Sequence, residues 1–335
     1  MELGLFKLAQ LHLETALEIS REGSHGGFKI ERRVLEKLSQ LHLLTGDTER
    51  AMDYAKEVAQ FVALHSTGDA SELVGAHRVM GMALEASGDL LAARRELELA
   101  VAAADQGAVA NKDLGTARMR VNLGIVLERL GEPALAAEHY LHALRTMEEA
   151  LGPKGEEVAA ALQNLAAVTT ELGDHGRALG YLERATEMER ERLGDNAPRY
   201  GVALNNLSAG QVAAERWDDA EISLRRSIQL LEVAPSPYDT LLAYPVMGLA
   251  DLLERRNRAK EAMVHAKRAL ALWESVDQDA EDRSIALFVM ARLVWADDHK
   301  KGNRYARAAL QAIPVPTRPK DSTAIEIREW MAQQR

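Results

Sequence analysis

The sequence predicts an all-α solenoid built from antiparallel helix pairs. Three observations carry the prediction. Small residues recur at a fixed interval along most of the chain, a glycine marks the same phase of successive intervals, and the composition favours helix over sheet. Of 335 residues, 47% are apolar and only 4% aromatic. The apolar share is mostly Ala and Leu, which are strong helix formers, while β-branched residues are sparse.

The interval is read first from alanine. Ala9, Ala51, Ala93, Ala136, Ala178, Ala220 and Ala262 stand 42 or 43 residues apart. Seven residues after each comes a second row: Ala16, Val58, Ala100, Ala143, Ala185, Ser227 and Ala269. Twelve before the first row lies a third: Ser39, Gly81, Gly124, Ala166, Ser208 and Ala250, each preceded by Leu or Met. Rows held in phase over six units mean a repeated pair of helices, with small residues where the axes approach and large ones filling the gaps. Gly46, Gly88, Gly131 and Gly173 fall where the first helix of a pair must end, a place for the left-handed conformation. Asp47, Asp89 and Asp174 follow as N-caps of the second helix. Glu215 and Asn257 take the glycine's place in later units.

This combination of small residue, twelve-step Ala, seven-step Ala and mid-unit Gly resembles the tetratricopeptide-repeat (TPR) signature, whose usual unit is about 34 residues. The resemblance implies a right-handed superhelix. The longer unit is similar to kinesin-light-chain repeats, most closely in Leu151-Gly152-Pro153 with Leu162-Gln163-Asn164-Leu165-Ala166, and in Leu193-Gly194-Asp195 with Leu204-Asn205-Asn206-Leu207-Ser208. Towards the C-terminus, Leu242-Ala243-Tyr244-Pro245, Phe288 to Ala291, Leu293 to Trp295 and Glu326 to Trp330 resemble the tail of TPR regions attached to bacterial, especially myxobacterial, serine/threonine kinases.

The expected organisation follows. Residues 1–22 are the second helix of a truncated first repeat, 30–274 hold six units, 282–313 form a divergent seventh, and 321–335 are a capping helix. In the seventh unit Arg304 stands where Ala is due, with Ala306 nearby. Pro314, Pro316 and Pro319 stop the helix. Because the pattern opens halfway through a repeat, Leu5, Leu8, Leu11 and Leu17 would lack an upstream neighbour. Two explanations are open: an upstream domain such as a kinase, or an N-terminal edge covered by a partner or a second copy.

First helices of TPR units line the inner groove, and the resemblance implies that the residue two before the small row faces it. Here that register reads Lys37, Val79, Asn122, Asn164, Asn206 and Gly248. An Asn there can hold a peptide's backbone amide with its donor and its acceptor. Asn122, Asn164 and Asn206, flanked by Arg118, Gln163 and Asn205, are therefore the candidate peptide- or partner-binding residues. Asn in this slot can equally tie neighbouring helices together, so both roles stay open. The carboxylate-clamp slots of chaperone-binding TPR proteins hold Val202 and Asn206, so an extended peptide or partner helix is expected rather than a free C-terminal carboxylate. Asp251 and Glu254 give the groove an acidic end.

Other chemistry finds no support. Lys and Arg number 41 against 51 Asp and Glu, a net charge of −10, which disfavours nucleic acid and anionic membrane. Absence of Cys excludes disulfides and Cys-based zinc sites and fits a reducing, cytoplasmic setting. No phosphate loop, dinucleotide fingerprint or His-Glu-x-x-His motif occurs. His139 and His142 form at most half a metal site. Asp277, Asp279 and Glu281 imitate a calcium loop that lacks its sixth-place Gly and has Phe288 in place of the twelfth Glu. The expected function is an interaction scaffold, non-catalytic and without cofactor, with a receptor for a small signalling peptide as the alternative.

Overall fold

The computed structural model describes residues 2–22, 27–65, 70–108, 114–235, 241–275, 280–295, 297–313 and 322–334. The linker around His25, the Asp277–Asp279 stretch and Pro314, Pro316 and Pro319 lie outside the described residues. Those described fold into sixteen α-helices and no strand. The chain divides into two compact units, residues 1–161 and 162–335.

Unit 1 holds α1 (Glu2–Glu22), then the pairs α2 (Gly27–Leu44) with α3 (Thr48–His65), α4 (Ala70–Ser87) with α5 (Leu90–Ala103), and α6 (Leu114–Arg129) with α7 (Pro133–Leu151). A π-helical turn, Ala104–Ala108, continues α5. The division between units falls inside α8 (Glu156–Glu171). Unit 2 continues with α9 (His175–Leu193), α10 (Pro198–Ala213), α11 (Trp217–Glu232), α12 (Ala243–Arg255), α13 (Ala259–Ser275), α14 (Ala280–Trp295), α15 (His299–Ala312) and α16 (Ser322–Gln333).

The small rows are where the helices meet. Ala51, Ala93, Ala136, Ala178, Ala220 and Ala262 are all buried, as are the residues seven later from Val58 to Ala269. At Gly81 a Cβ would stand 2.6 Å from Leu97, and at Gly124 it would collide with the buried Tyr140 ring. Ser39 donates a hydrogen bond to the Ala51 carbonyl at 2.8 Å, so this polar member of the row satisfies itself while bridging the pair. The turn position is left-handed in the first four pairs: φ is +76° at Gly46, +88° at Gly88, +78° at Gly131 and +82° at Gly173. Glu215 at +58° and Asn257 at +60° follow the same path without glycine. Asp47, Asp89 and Asp174 accept from the backbone N–H three residues on, at 3.0–3.1 Å.

The structure revises two expectations. In α15 the packing face is Gly302, Ala306 and Ala309, the same i, i+4, i+7 spacing as Ala262, Ala266 and Ala269. The slot thus belongs to Gly302, two residues before Arg304, which is exposed. A Cβ on Gly302 would lie 2.7 Å from Trp295, so helix approach selects glycine there. On α1, Leu17 is not left bare: it is buried with Leu35, Leu38 and Val58, while Leu5, Leu8 and Leu11 are exposed. At the other end Ile327 of α16 is fully buried against Phe288, Ala291, Ala306 and Ala309.

Candidate functional site

In unit 1 the first helices of successive pairs touch one another, α2 with α4 and α4 with α6. Their shared face carries a cleft of about 470 Å³, with the start of α8 as its fourth wall. Lys37 and Gln40 come from α2, Arg78 and Met82 from α4, Arg118, Val121 and Asn122 from α6, and Glu157 and Ala160 from α8. Met147 of α7 adds an apolar patch.

Two of the sequence-derived residues, Arg118 and Asn122, therefore line one cleft, one turn apart on α6. Lys37, in the same register, joins them. Val79 does not: it is buried between Ala55 and Ala83, and the cleft side of α4 is given instead to Arg78. Reading a single register misses Arg78 and Glu157. The signal is present in the cation column Lys37, Arg78, Arg118 at 41- and 40-residue spacing.

Charge in the cleft is organised across repeats. Arg78 reaches Glu36 of α2 at 3.2 Å, and Glu36 also holds Arg32. Burial lowers the Arg78 pKa, Glu36 offsets part of that, and the neighbouring Arg32 and Arg118 lower it further. Arg118 donates twice to Glu157, Nε at 2.8 Å and Nη2 at 2.5 Å, and this hydrogen bonding holds the Glu157 carboxyl below its usual pKa. The side chains are 58% and 32% exposed, so the pair contributes only about 0–1 kcal/mol.

Asn164, Gln163, Asn205 and Asn206 lie in unit 2 and are half-buried, on the first helices α8 and α10. Asn205 donates to the Asn206 side chain at 3.5 Å. Among the described residues, the side-chain amides of Asn122 and Asn164 have no hydrogen-bond partner and are not sealed from solvent.

The remaining ionisable clusters are structural in character. Asp251 and Glu254 of α12 surround Arg292 of α14, at 2.5 Å each. The acidic end expected there is therefore neutralised. Arg292 stacks 4.8 Å over Phe288 and reaches Glu326 of α16 at 3.4 Å. Burial lowers its pKa, but Glu254 and Asp251 outweigh that and raise it. His139 sits 3.5 Å from Arg120, which Asp105 holds at 2.5 Å. Burial, then Arg120, lowers the pKa of both His139 and His142. Among the described residues no group of three potential metal ligands occurs, and no helix is long and apolar enough to cross a membrane.

The family model for the tetratricopeptide repeat matches three overlapping windows, residues 72–149, 115–191 and 157–232. Residues 72–232 are tetratricopeptide repeats. Among solved structures, the chain is similar to apo RapI, with TM-score 0.69 and 11% identity over 98% of this chain and 92% of that one. It is similar to a Rap protein solved in complex with Competence and Sporulation Factor, with TM-score 0.62 and 11% identity over 99% and 100%. It is also similar to the nearly identical TPR-like repeats assigned to a kinesin light chain of Podosopora anserina, with TM-score 0.52 and 15% identity over 60% and 96%. At these identities the likeness is one of fold, an all-α TPR solenoid. No curated protein sequence matches the chain.

Proposed function

We propose that this TPR protein is a non-catalytic, cytoplasmic interaction scaffold that binds an extended peptide or a partner helix along its first helices. The observation that carries the reading is the unit 1 cleft, where three first helices bring together Lys37, Arg78, Arg118 and the unpartnered amide of Asn122 beside Met82, with Met147 of α7 behind them. An amide with donor and acceptor both open can pair with a peptide bond, and the methionines adapt to varied side chains. Asn164 and Asn206 hold the same sequence register in unit 2 and are proposed as contacts there.

The test is affinity capture from the source lysate with wild type beside the Asn122→Ala/Asn164→Ala/Asn206→Ala variant. A partner held by wild type and lost by the variant supports the reading. Each lost amide pairing should weaken affinity by about 1–3 kcal/mol and leave stability nearly unchanged. Equal capture by both would remove the asparagines from the site.

A second reading, a receptor for a small signalling peptide, draws on the fold shared with the Rap protein that was solved with Competence and Sporulation Factor. A low-molecular-weight, heat-stable ligand in extract would favour it. Two finer parts of the proposal are attachment of the repeats to a bacterial signalling kinase and self-association through α1. Intact-mass analysis of the native polypeptide tests the first. Sedimentation of wild type against Leu8→Glu tests the second, since Leu5, Leu8 and Leu11 are 50–63% exposed.

A further inference from the structure

Unit 1 is acidic as a whole, with 17 Lys and Arg against 25 Asp and Glu in residues 1–161. The cleft reverses that sign. Lys37, Arg78 and Arg118 line it and Arg32 stands against Arg78's partner, so among the described residues four cations face the two carboxylates Glu36 and Glu157. Glu36 is well covered, its side chain 12% exposed and shared between Arg32 and Arg78. Glu157 differs. It lies on the cleft wall, is 32% exposed, and grips Arg118 with both oxygens, the fork geometry that any carboxylate would adopt there.

We propose, resting on the peptide reading of this same cleft, that Glu157 is an internal stand-in for an acidic side chain of the bound peptide. It holds Arg118 in the free protein, and an Asp or Glu of the incoming peptide displaces it. Two features favour the exchange. The pair is exposed and so is weak. Glu157 stands in the first turn of α8, where the helix dipole and solvent accommodate the released carboxylate. The occupant is a peptide rather than a free anion, because the half-buried Met82 and Val121 would stay uncovered by a small ion.

The experiment measures anisotropy of three labelled pools of 12-residue peptides, randomised around a fixed Leu-Glu-Leu, Leu-Gln-Leu or Leu-Lys-Leu centre. Wild type, Glu157→Gln, Arg118→Gln and the double variant are compared, each checked for helical content. Wild type should prefer the Glu pool. Glu157→Gln should tighten that pool about two- to fivefold and leave the Gln pool unchanged. Arg118→Gln should abolish the preference, and adding Glu157→Gln to it should change nothing. Should Glu157→Gln lose helix, Glu157→Ala is read in the same way. Unchanged or weaker binding of the Glu pool to Glu157→Gln, with binding still sensitive to Asn122→Ala, overturns the stand-in and leaves the peptide reading intact. Free glutamate matching the pool's selectivity overturns the peptide as occupant. Binding by no pool to any variant overturns both the peptide reading and the stand-in.

Discussion

At the scale of single residues, glycine separates two physical demands that look alike in the sequence. Gly124 is glycine because the Tyr140 ring fills the space where a Cβ would be. That ring is fully buried and packed, so it has nowhere to retreat. Gly124→Ala should cost about 1–3 kcal/mol, measured by urea unfolding. Gly180 lies inside α9, and a Cβ added there would meet nothing within 4 Å. Gly180→Ala should therefore stabilise by about 0.5–1 kcal/mol, because alanine loses less backbone freedom in a helix. A loss of stability at both positions would count against this division. Glu215 shows the converse, a non-glycine residue at φ +58° because the chain must turn there regardless. The histidines add a pH signature. Burial lowers His139, His142 and His265 below the ordinary histidine value of 6.5. As pH falls through about 6.5 the unfolded chain binds protons that the folded one does not, so stability is lost from there down towards the folded values. Melting temperature should drop between pH 7 and 5, and the drop should be smaller in His139→Gln/His265→Gln. Equal drops in the two proteins would sink the assignment.

Between elements, the links are of two kinds, and only one was legible. The small rows, read directly from the sequence, bring the two helices of a pair together. The second kind is ionic and spans about one repeat: Arg78 to Glu36, Arg94 to Glu132, Arg118 to Glu157 and Arg292 to Glu254 are 38 to 42 residues apart. Of these four arginines only Arg94 has a same-helix acidic neighbour, Glu98 four residues on; the partners of the others lie a repeat away, a spacing that helix periodicity does not reveal. Arg292 is the strongest case, since it gathers carboxylates from α12 and α16 while stacked on Phe288. Arg292→Met should cost about 2–4 kcal/mol, because Glu254 would be left half-buried without its partner while Asp251 keeps only Arg255. Hydrogen exchange should rise in α16 before it rises in α10. Uniform exchange along unit 2 would argue that Arg292 does not tie α16 down.

For the whole molecule, a repeat chain is held by neighbours, so damage should stay local. Gly124→Ala should raise hydrogen exchange in α5 to α7 while α13 to α16 keep wild-type protection. Global loss of protection would show a more cooperative fold than neighbour contacts provide. The all-α class, the helix pairing, the 42-residue unit, the left-handed turns and the N-caps can all be read from the residue order. They follow from short-range rules: spacing on a helix face, backbone sterics and capping, each expressed within one repeat. Asn122 and Arg118 fall side by side in the same way, because one helical turn separates them. Other features emerge only when the helices are packed. Arg78 rather than Val79 faces the cleft, Gly302 rather than Arg304 takes the packing slot, Arg292 neutralises Asp251 and Glu254, and Glu157 holds Arg118. Each of these depends on the rotation of one helix against another, which is set by side chains a full repeat away and leaves no mark within the repeat itself.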